Sequence, residues 1–336
     1  VKAVRLIGQR LAWLIPQLIG ISLVTFCLVR VIPANPAYLL AGPSPTEQGI
    51  QAIIRDLGLD QPLQVQYVDY MGRLVRGDLG ISWISRQPVV EELRSRLTAS
   101  LELTVLSLAT ALALGITMGV ASALGKGRAP DQVLRLVTLV GLSIPRFWFG
   151  LLLVFVFYYH LGVAPPPLGR IGPGAAPPAH VTGFYVADSL LTGNLPALGA
   201  SLAALALPVL AMSFMIAAPI AKTTRAAMVE MLSNEYVRHA RACGLPRRQV
   251  WVYAIRGALP PIITMAGIVF STLLGGGVLV ETVFGWPGMG SYAVQSINSS
   301  DYNAVQGFVL ITAIITVVVF LIIDLLYIII DPRVRH

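Results

Sequence analysis

Six apolar runs, at 11–32, 101–124, 133–159, 197–221, 258–280 and 305–330, dominate the hydropathy pattern of this chain. A membrane-spanning helix needs roughly 20 mostly apolar residues, and each run meets that length. The first is interrupted only by Arg30, the second carries Glu102 at its edge, the fourth and fifth hold no charge, and the sixth holds only Asp324. The third is long and contains Arg135, Pro145 and Arg146, which leaves open one kinked helix or a broken one. Between the first two runs the pattern changes to mixed polar and apolar. A helical spacing of Leu63, Tyr67, Tyr70, Met71 and Leu74 predicts a short helix over 59–75, and "VVEELRSRL" at 89–97 reads as an amphipathic lead-in to the second span. "APPPLGRIGPGAAPP" at 164–178 is too rich in Pro and Gly for a helix and predicts a loop. The fold class expected is an all-α membrane protein with six transmembrane helices. Residues 1–32 form a cytoplasmic N-terminus and first span, 33–100 an external subdomain, 101–330 a five-helix core and 331–336 a cytoplasmic tail.

Composition supports the same class. The 336 residues are 56% hydrophobic and 12% charged, against about a quarter charged in soluble domains. The net charge of +8 is distributed as cytoplasmic loops of membrane proteins are. Lys2, Arg5 and Arg10 precede the first span, Lys126 and Arg128 lie between spans two and three, and Arg333 and Arg335 follow the last. The segment 222–257 holds Lys222, Arg225, Arg238, Arg241, Arg247, Arg248 and Arg256 against Glu230 and Glu235. All four places fall on one side of a six-span chain. The opposite loop 160–196 has only Arg170, and 281–304 has no Lys or Arg. Both termini and the basic insert are therefore expected in the cytoplasm. The first run is longer than a signal-peptide core and is read as an uncleaved span. Cys27 and Cys243 suggest neither a disulfide nor a metal site.

The insert has internal design. Asn234 is placed to cap a helix whose first turn carries Glu235. Tyr236, Val237, Ala240 and Cys243 fall on one face and the arginines on the other. Gly244 stands where a left-handed C-terminal glycine belongs, Leu245 follows it, and Pro246 is suited to open a second helix. Two short helices and a sharp turn exceed what topology alone requires. A helix that docks on a partner protein is the expectation, and the scarcity of stacking aromatics argues against nucleic acid.

Other chemistry is sparse. "GVASALGK" (119–126) has the wrong glycine spacing and no Ser or Thr after Lys126, so the chain is expected to bind no nucleotide. The four histidines are scattered, and neither metal-protease nor nucleophile-elbow spacing occurs, so no catalytic residue and no metal site are expected. Arg146, in "SIPRFWFG" with Trp148, is a costly charge within a span. It snorkels or sits nearer the outer interface, pairs structurally with Asp324, or lines a solute pathway. Asp324 itself reads as a packing or interfacial acid and Glu281 as structural. "FGWPGMG" (284–290) joins turn formers to aromatics, the pattern of an interface anchor.

"EYVRHARACGLPRRQVWVYAIRGALPPII" (235–263) resembles the cytoplasmic loop of permease subunits of binding-protein-dependent ABC importers. Gly244 matches the loop's glycine, Ala240 its second alanine, and Leu259-Pro260 its terminal pair. Arg238-His239 depart from the general motif and are similar to the peptide/nickel branch. "LGLDQPLQVQY" (57–67), "GDLGIS" (77–82), "ETVFGWPGMG" (281–290), "DYNAVQG" (301–307) and "DLLYIIIDPRVR" (324–335) resemble that branch too, and its B-type subunit most. The resemblance implies a coupling helix between spans four and five, with Glu235, Tyr236, Arg238, His239, Ala240, Arg241, Gly244 and Leu245 against a cytoplasmic ATPase. It implies a second, paralogous permease, two ATPase subunits or domains that hold ATP and Mg, and an external substrate-binding protein, all at an inner membrane. The solute expected is a dipeptide, oligopeptide, nickel chelate, glutathione or related small molecule. Arg146, Trp148 and Asp324 are pathway candidates, and Phe284, Trp286, Pro287 and Gly288 an outer turn or gate. An ion-coupled secondary transporter is the alternative.

Overall fold

The computed structural model describes the backbone of residues 2–31 and 46–330 and most side chains within them. The tail 331–336, residues 32–45 of the external segment, and the side chains of Lys2, Arg5, Arg10 and Arg30 lie outside the described residues. Among the described residues every regular element is helical, and one isolated bridge joins Ile81 to Pro88.

The elements run α1 (Lys2–Val31), α2 (Glu47–Asp56), α3 (Leu63–Val75), α4 (Val89–Leu124), α5 (Ala129–Ser143), α6 (Arg146–Leu153), a π-helical turn (Val154–His160), α7 (Tyr185–Leu191), α8 (Leu195–Ser233), α9 (Glu235–Ala242), α10 (Arg247–Gly276), α11 (Val278–Val283), α12 (Met289–Asn298) and α13 (Tyr302–Ile330). Among the described residues α4, α8, α10 and α13 are long and apolar enough to cross a bilayer. The pair α5 and α6 with its π-helical turn forms a fifth candidate, bent by 99°. Helix α1 has 30 residues, and its described side chains include the apolar stretch Ile15–Cys27.

Four boundaries are sharpened or moved. The lead-in at 89–97 is no separate element. Glu91 and Glu92 sit in the favourable first turn of α4, which continues unbroken for 36 residues. Of the two alternatives left open for the third run, the broken helix is found. Pro145 offers no N–H and steers Ile144 to ψ = 130°, which ends α5 before α6 begins. The basic insert is shorter than 222–257. Residues 222–233 continue α8, and Arg247 opens the 30-residue α10 rather than a second short helix. Pro246 stands one position outside that helix, as its N-cap. The fifth apolar run also stops early: α10 ends in Gly275 and Gly276, and Gly277 separates it from α11.

The core sits where α4 crosses α8, the most extensive helix pairing. Gly115 and Gly119 make it possible. A Cβ on Gly115 would lie 2.7 Å from Ile220, and one on Gly119 2.6 Å from Thr224. Small residues four apart let backbones approach closely, which is how helices gain packing energy where lipid removes the hydrophobic drive. Leu103, Ala111, Leu205, Met212, Ile220, Leu273 and Val280 are buried around this contact. Val105, Leu114, Leu136, Val140, Leu202, Ile268, Val318 and Ile322 are exposed on the outer faces of the long helices, as lipid-facing side chains are.

Polar ties hold the end of the bundle that carries the long loops. Glu102 accepts from Arg170 Nη2 at 2.6 Å and from the Val186 N–H at 2.7 Å, and the Arg170 guanidinium lies 3.7 Å from the centre of the Tyr185 ring. This pins the Pro- and Gly-rich loop, which forms no helix, to α4 and α7. Asp188 accepts from the N–H groups of Val181, Thr182 and Gly183 and from the Thr182 hydroxyl. Burial alone would raise its pKa, but these four donors outweigh it and hold the carboxyl at about 2. The segment between α1 and α4 docks on the start of α13 through Ser82 to Asp301, Asn303 Nδ2 to Ile81 O (2.9 Å) and Trp83 against Tyr302. Helix α3 lies along α1, with Tyr67 edge-on to Phe26 and hydrogen-bonded to Ser22.

Candidate functional site

Helix α9 is a capped helix of eight residues, about two turns, joining two long helices. Asn234 is extended (φ −67°, ψ 145°), ends α8, and accepts the Tyr236 N–H through its side chain at 3.4 Å. At the other end Leu245 N–H bonds Ala240 O (3.2 Å) and Gly244 N–H bonds Arg241 O (3.1 Å). These are the two bonds of a Schellman ending, and Gly244 takes the left-handed φ of +75° it requires. Glu235 lies in the first turn and His239 and Arg241 in the last, so the charges oppose the helix dipole.

The faces divide differently from the sequence expectation. Val237 is fully buried against the bundle and anchors α9 instead of facing outward. Tyr236 is half-exposed, and its hydroxyl reaches the Tyr253 carbonyl of α10 at 3.3 Å. Gly257 makes room, since a Cβ there would meet the Tyr236 hydroxyl at 2.8 Å. What remains outward is a shallow groove of ≈ 510 Å³ walled by Tyr236, Ala240, Cys243, Leu245 and Tyr253, with Glu235 and His239 on its rim. Arg238, Arg241, Arg247 and Arg248 are exposed around it.

The pathway candidates are not brought together. Arg146 opens α6, half-buried, and its guanidinium points to the glycine break after α10, 3.1 Å from where a Cβ of Gly276 would stand. Among the described residues it makes no hydrogen bond or ion pair, so the structural pairing with Asp324 is not found. Asp324 is on α13, which packs on α1, α4, α10 and α12, whereas α6 packs on α8 and α11. Trp148 is 48% exposed.

The aromatic turn is likewise corrected. Phe284 and Trp286 are 3% and 1% exposed, so they are core residues and not interface anchors. Trp286 Nε1 donates to Ala99 O at 2.9 Å, and the Phe284 carbonyl accepts the Gly169 N–H at 3.1 Å. Pro287 is exposed at the turn. Glu281 sits beneath it, receiving Ser100 Oγ at 2.6 Å and the Ser291 N–H at 2.9 Å. Burial pushes its carboxyl above the usual range, against those hydrogen bonds. A Cβ on Gly288 would overlap the Glu281 carboxylate, and one on Gly290 would lie 2.7 Å from Val278. Those glycines are there for close approach. Sequence reasoning missed one further cluster: Arg225 grips Asp131 through Nε (2.7 Å) and Nη2 (2.9 Å), and Ser122 joins them. The residues lie on three helices and are 103 positions apart at the widest bond, Arg225 Nε to Ser122 Oγ, which no local pattern reveals.

Two family comparisons bear on this geometry. Residues 112–336 match the family described as binding-protein-dependent transport system inner membrane component. Residues 3–104 match the N-terminal family of the same membrane components. The chain belongs to that permease family. Full-length relatives agree. It is 43% identical to the probable D,D-dipeptide transport system permease of Escherichia coli (strain K12), over 98% of this chain and 97% of the relative. It is 39% identical to a di/tripeptide transport system permease of Pseudomonas aeruginosa, over 98% of each. It is 38% identical to a dipeptide transport system permease of Alkalihalophilus pseudofirmus, again over 98% of each. As a permease it is a multi-pass subunit of an ABC importer in the inner membrane and a transport subunit rather than an enzyme. A substrate-binding protein and ATPase partners belong to any such importer.

Proposed function

We propose that the chain is one of two paralogous permeases that together admit a dipeptide, an oligopeptide or a related small solute, driven by two cytoplasmic ATPase subunits or domains. The observation that carries the mechanism is the capped α9, joined rigidly to α8 by Asn234 and to α10 by the Gly244 turn. A partner seated in its groove, against Tyr236, Ala240 and Leu245 and within reach of Arg238, His239 and Arg241, acts on two spans at once. Glu235 and Gly244 keep the helix intact under that load. ATP and Mg belong to the partners. The peptide class is supported by the names of all three relatives, and the chain's own residues select little of it.

In this reading α1 and the bent α5–α6 pair complete six spans, with both termini and α9 in the cytoplasm. The Arg170 loop, the α11–α12 turn at Pro287, with Phe284, Trp286 and Gly288 buried behind it, and the external segment then lie on the side of the binding protein. Arg146, whose guanidinium has no partner among the described residues, is offered to a solute carboxylate. Trp148 and Asp324 are the further pathway candidates. The ion-coupled alternative is not favoured, since the relatives are subunits of ATP-driven importers.

Reconstitution with the partner subunits tests this. ATP should drive uptake of a labelled dipeptide, and a protonophore should leave it unchanged. Arg146→Gln should reduce uptake several-fold at unchanged protein level. Loss of uptake and protein together would assign Arg146 to folding, and uptake that survives ATP depletion would overturn the ATP-driven reading.

A further inference from the structure

Beside the Asp131–Arg225 cluster lies a cavity of ≈ 400 Å³ between α4, α5 and α8. Its walls are apolar, formed by Met118, Leu134, Leu139 and Ala221, and its rim carries Arg135 and Lys222. Lys222 is the first charge after the uncharged stretch of α8 that ends at Ala221, so the cavity lies where that stretch meets the charged end of the bundle.

The charge balance decides what fits. Arg225 also borders the cavity, but both its bonding nitrogens are spent on Asp131, which in turn takes Ser122 and the Gly127 N–H. That cluster is neutral and satisfied. Arg135 keeps only a 3.8 Å approach to Asp131 and has a side chain 63% exposed. Lys222 is exposed and makes no hydrogen bond or ion pair among the described residues. Among the described residues Lys222 thus has no acid beside the apolar slot, and Arg135 has only Asp131, already bonded to Arg225. Basic pockets between spanning helices on the cytoplasmic side suit anionic headgroups.

We propose that this cavity binds one anionic glycerophospholipid of the cytoplasmic leaflet. Its phosphate meets Lys222 and Arg135, and the start of an acyl chain lies along Met118, Leu134 and Leu139. The inference rests on placing this end of the bundle at the cytoplasmic surface. Lipid binding is read without transport, so its failure leaves the importer reading untouched.

The test is native mass spectrometry and thermal melting of the assembled importer, in nanodiscs of phosphatidylcholine with or without phosphatidylglycerol. Phosphatidylglycerol should remain bound through detergent release and raise the melting temperature. Lys222→Ala and Arg135→Ala should each weaken its retention about fivefold, with melting in pure phosphatidylcholine unchanged. Leu139→Trp, which fills the slot and keeps both charges, should also abolish retention, whereas Lys126→Ala should not. Equal retention of the two lipids, or full retention in the Lys222→Ala, Arg135→Ala double variant, overturns the proposal. So does an equal rise in melting temperature with soluble glycerol phosphate, which would mark a free-anion site. Cross-linking of Thr138→Cys to the second permease would do the same, by showing a protein in the slot.

Discussion

At Gly244 the backbone takes φ = +75°, where any Cβ costs roughly 1–2 kcal/mol. Gly244→Ala should therefore lower ATP-driven uptake partially, and Gly244→Pro, which also removes the N–H bonded to Arg241, should abolish it. Both should leave membrane insertion intact, as fractionation and immunoblotting can show. Ala240→Glu should act like the proline, because it fills the groove of α9; undiminished uptake in either would remove α9 from the coupling path. Gly288 is a residue of another kind, since its lack of a side chain admits the Glu281 carboxylate. Gly288→Ala should cost about 1–3 kcal/mol of stability, read as a lower melting temperature. Asp188 titrates with a definite sign. Its folded pKa of about 2 lies below the ordinary value near 3.9. Its stabilisation is complete above about pH 4 and is lost as pH falls through about 2. Asp188→Asn should be less stable than the parent at pH 6, with the gap closing between pH 4 and pH 2 in paired melting curves.

Elements show which of these features a sequence can carry. The apolar runs, the Asn234 cap and the Gly244 ending were legible because each is a local rule of length, capping or left-handed backbone. Boundaries were less so. Nothing local says that Val237 turns inward while Tyr236 stays at the surface, since both share the apolar stripe of α9 and only the position of α8 and α10 decides. Aromatic residues at a span end read as lipid anchors until the fold buries Phe284 and Trp286 beneath the Arg170 loop. The Asp131–Arg225 bond crosses from α5 to α8 and has no sequence signature. A double-mutant cycle of Asp131→Asn and Arg225→Gln should return a coupling of about 0.5–3 kcal/mol. Gly119→Val, which meets Thr224, should loosen α4 from α8 and lower the melting temperature further than the same change at exposed Gly8, near which nothing lies within 4 Å.

At the scale of the molecule, α8 ties the two ends together. Its 39 residues make a rod of about 58 Å, nearly twice a hydrocarbon core of about 30 Å. It starts at Asn194, next to α7 and the loop held by Arg170, and ends at Asn234, which also begins α9. Because one residue finishes α8 and caps α9, the joint between them is short, and in the proposed coupling role it would act as a crank pin. A tilt of the rod by roughly 10° about its lower end would carry its upper end about 10 Å, on the helical rise of 1.5 Å per residue. In the proposed topology, a small nudge at α9 would become a wide swing at the mouth where solute arrives.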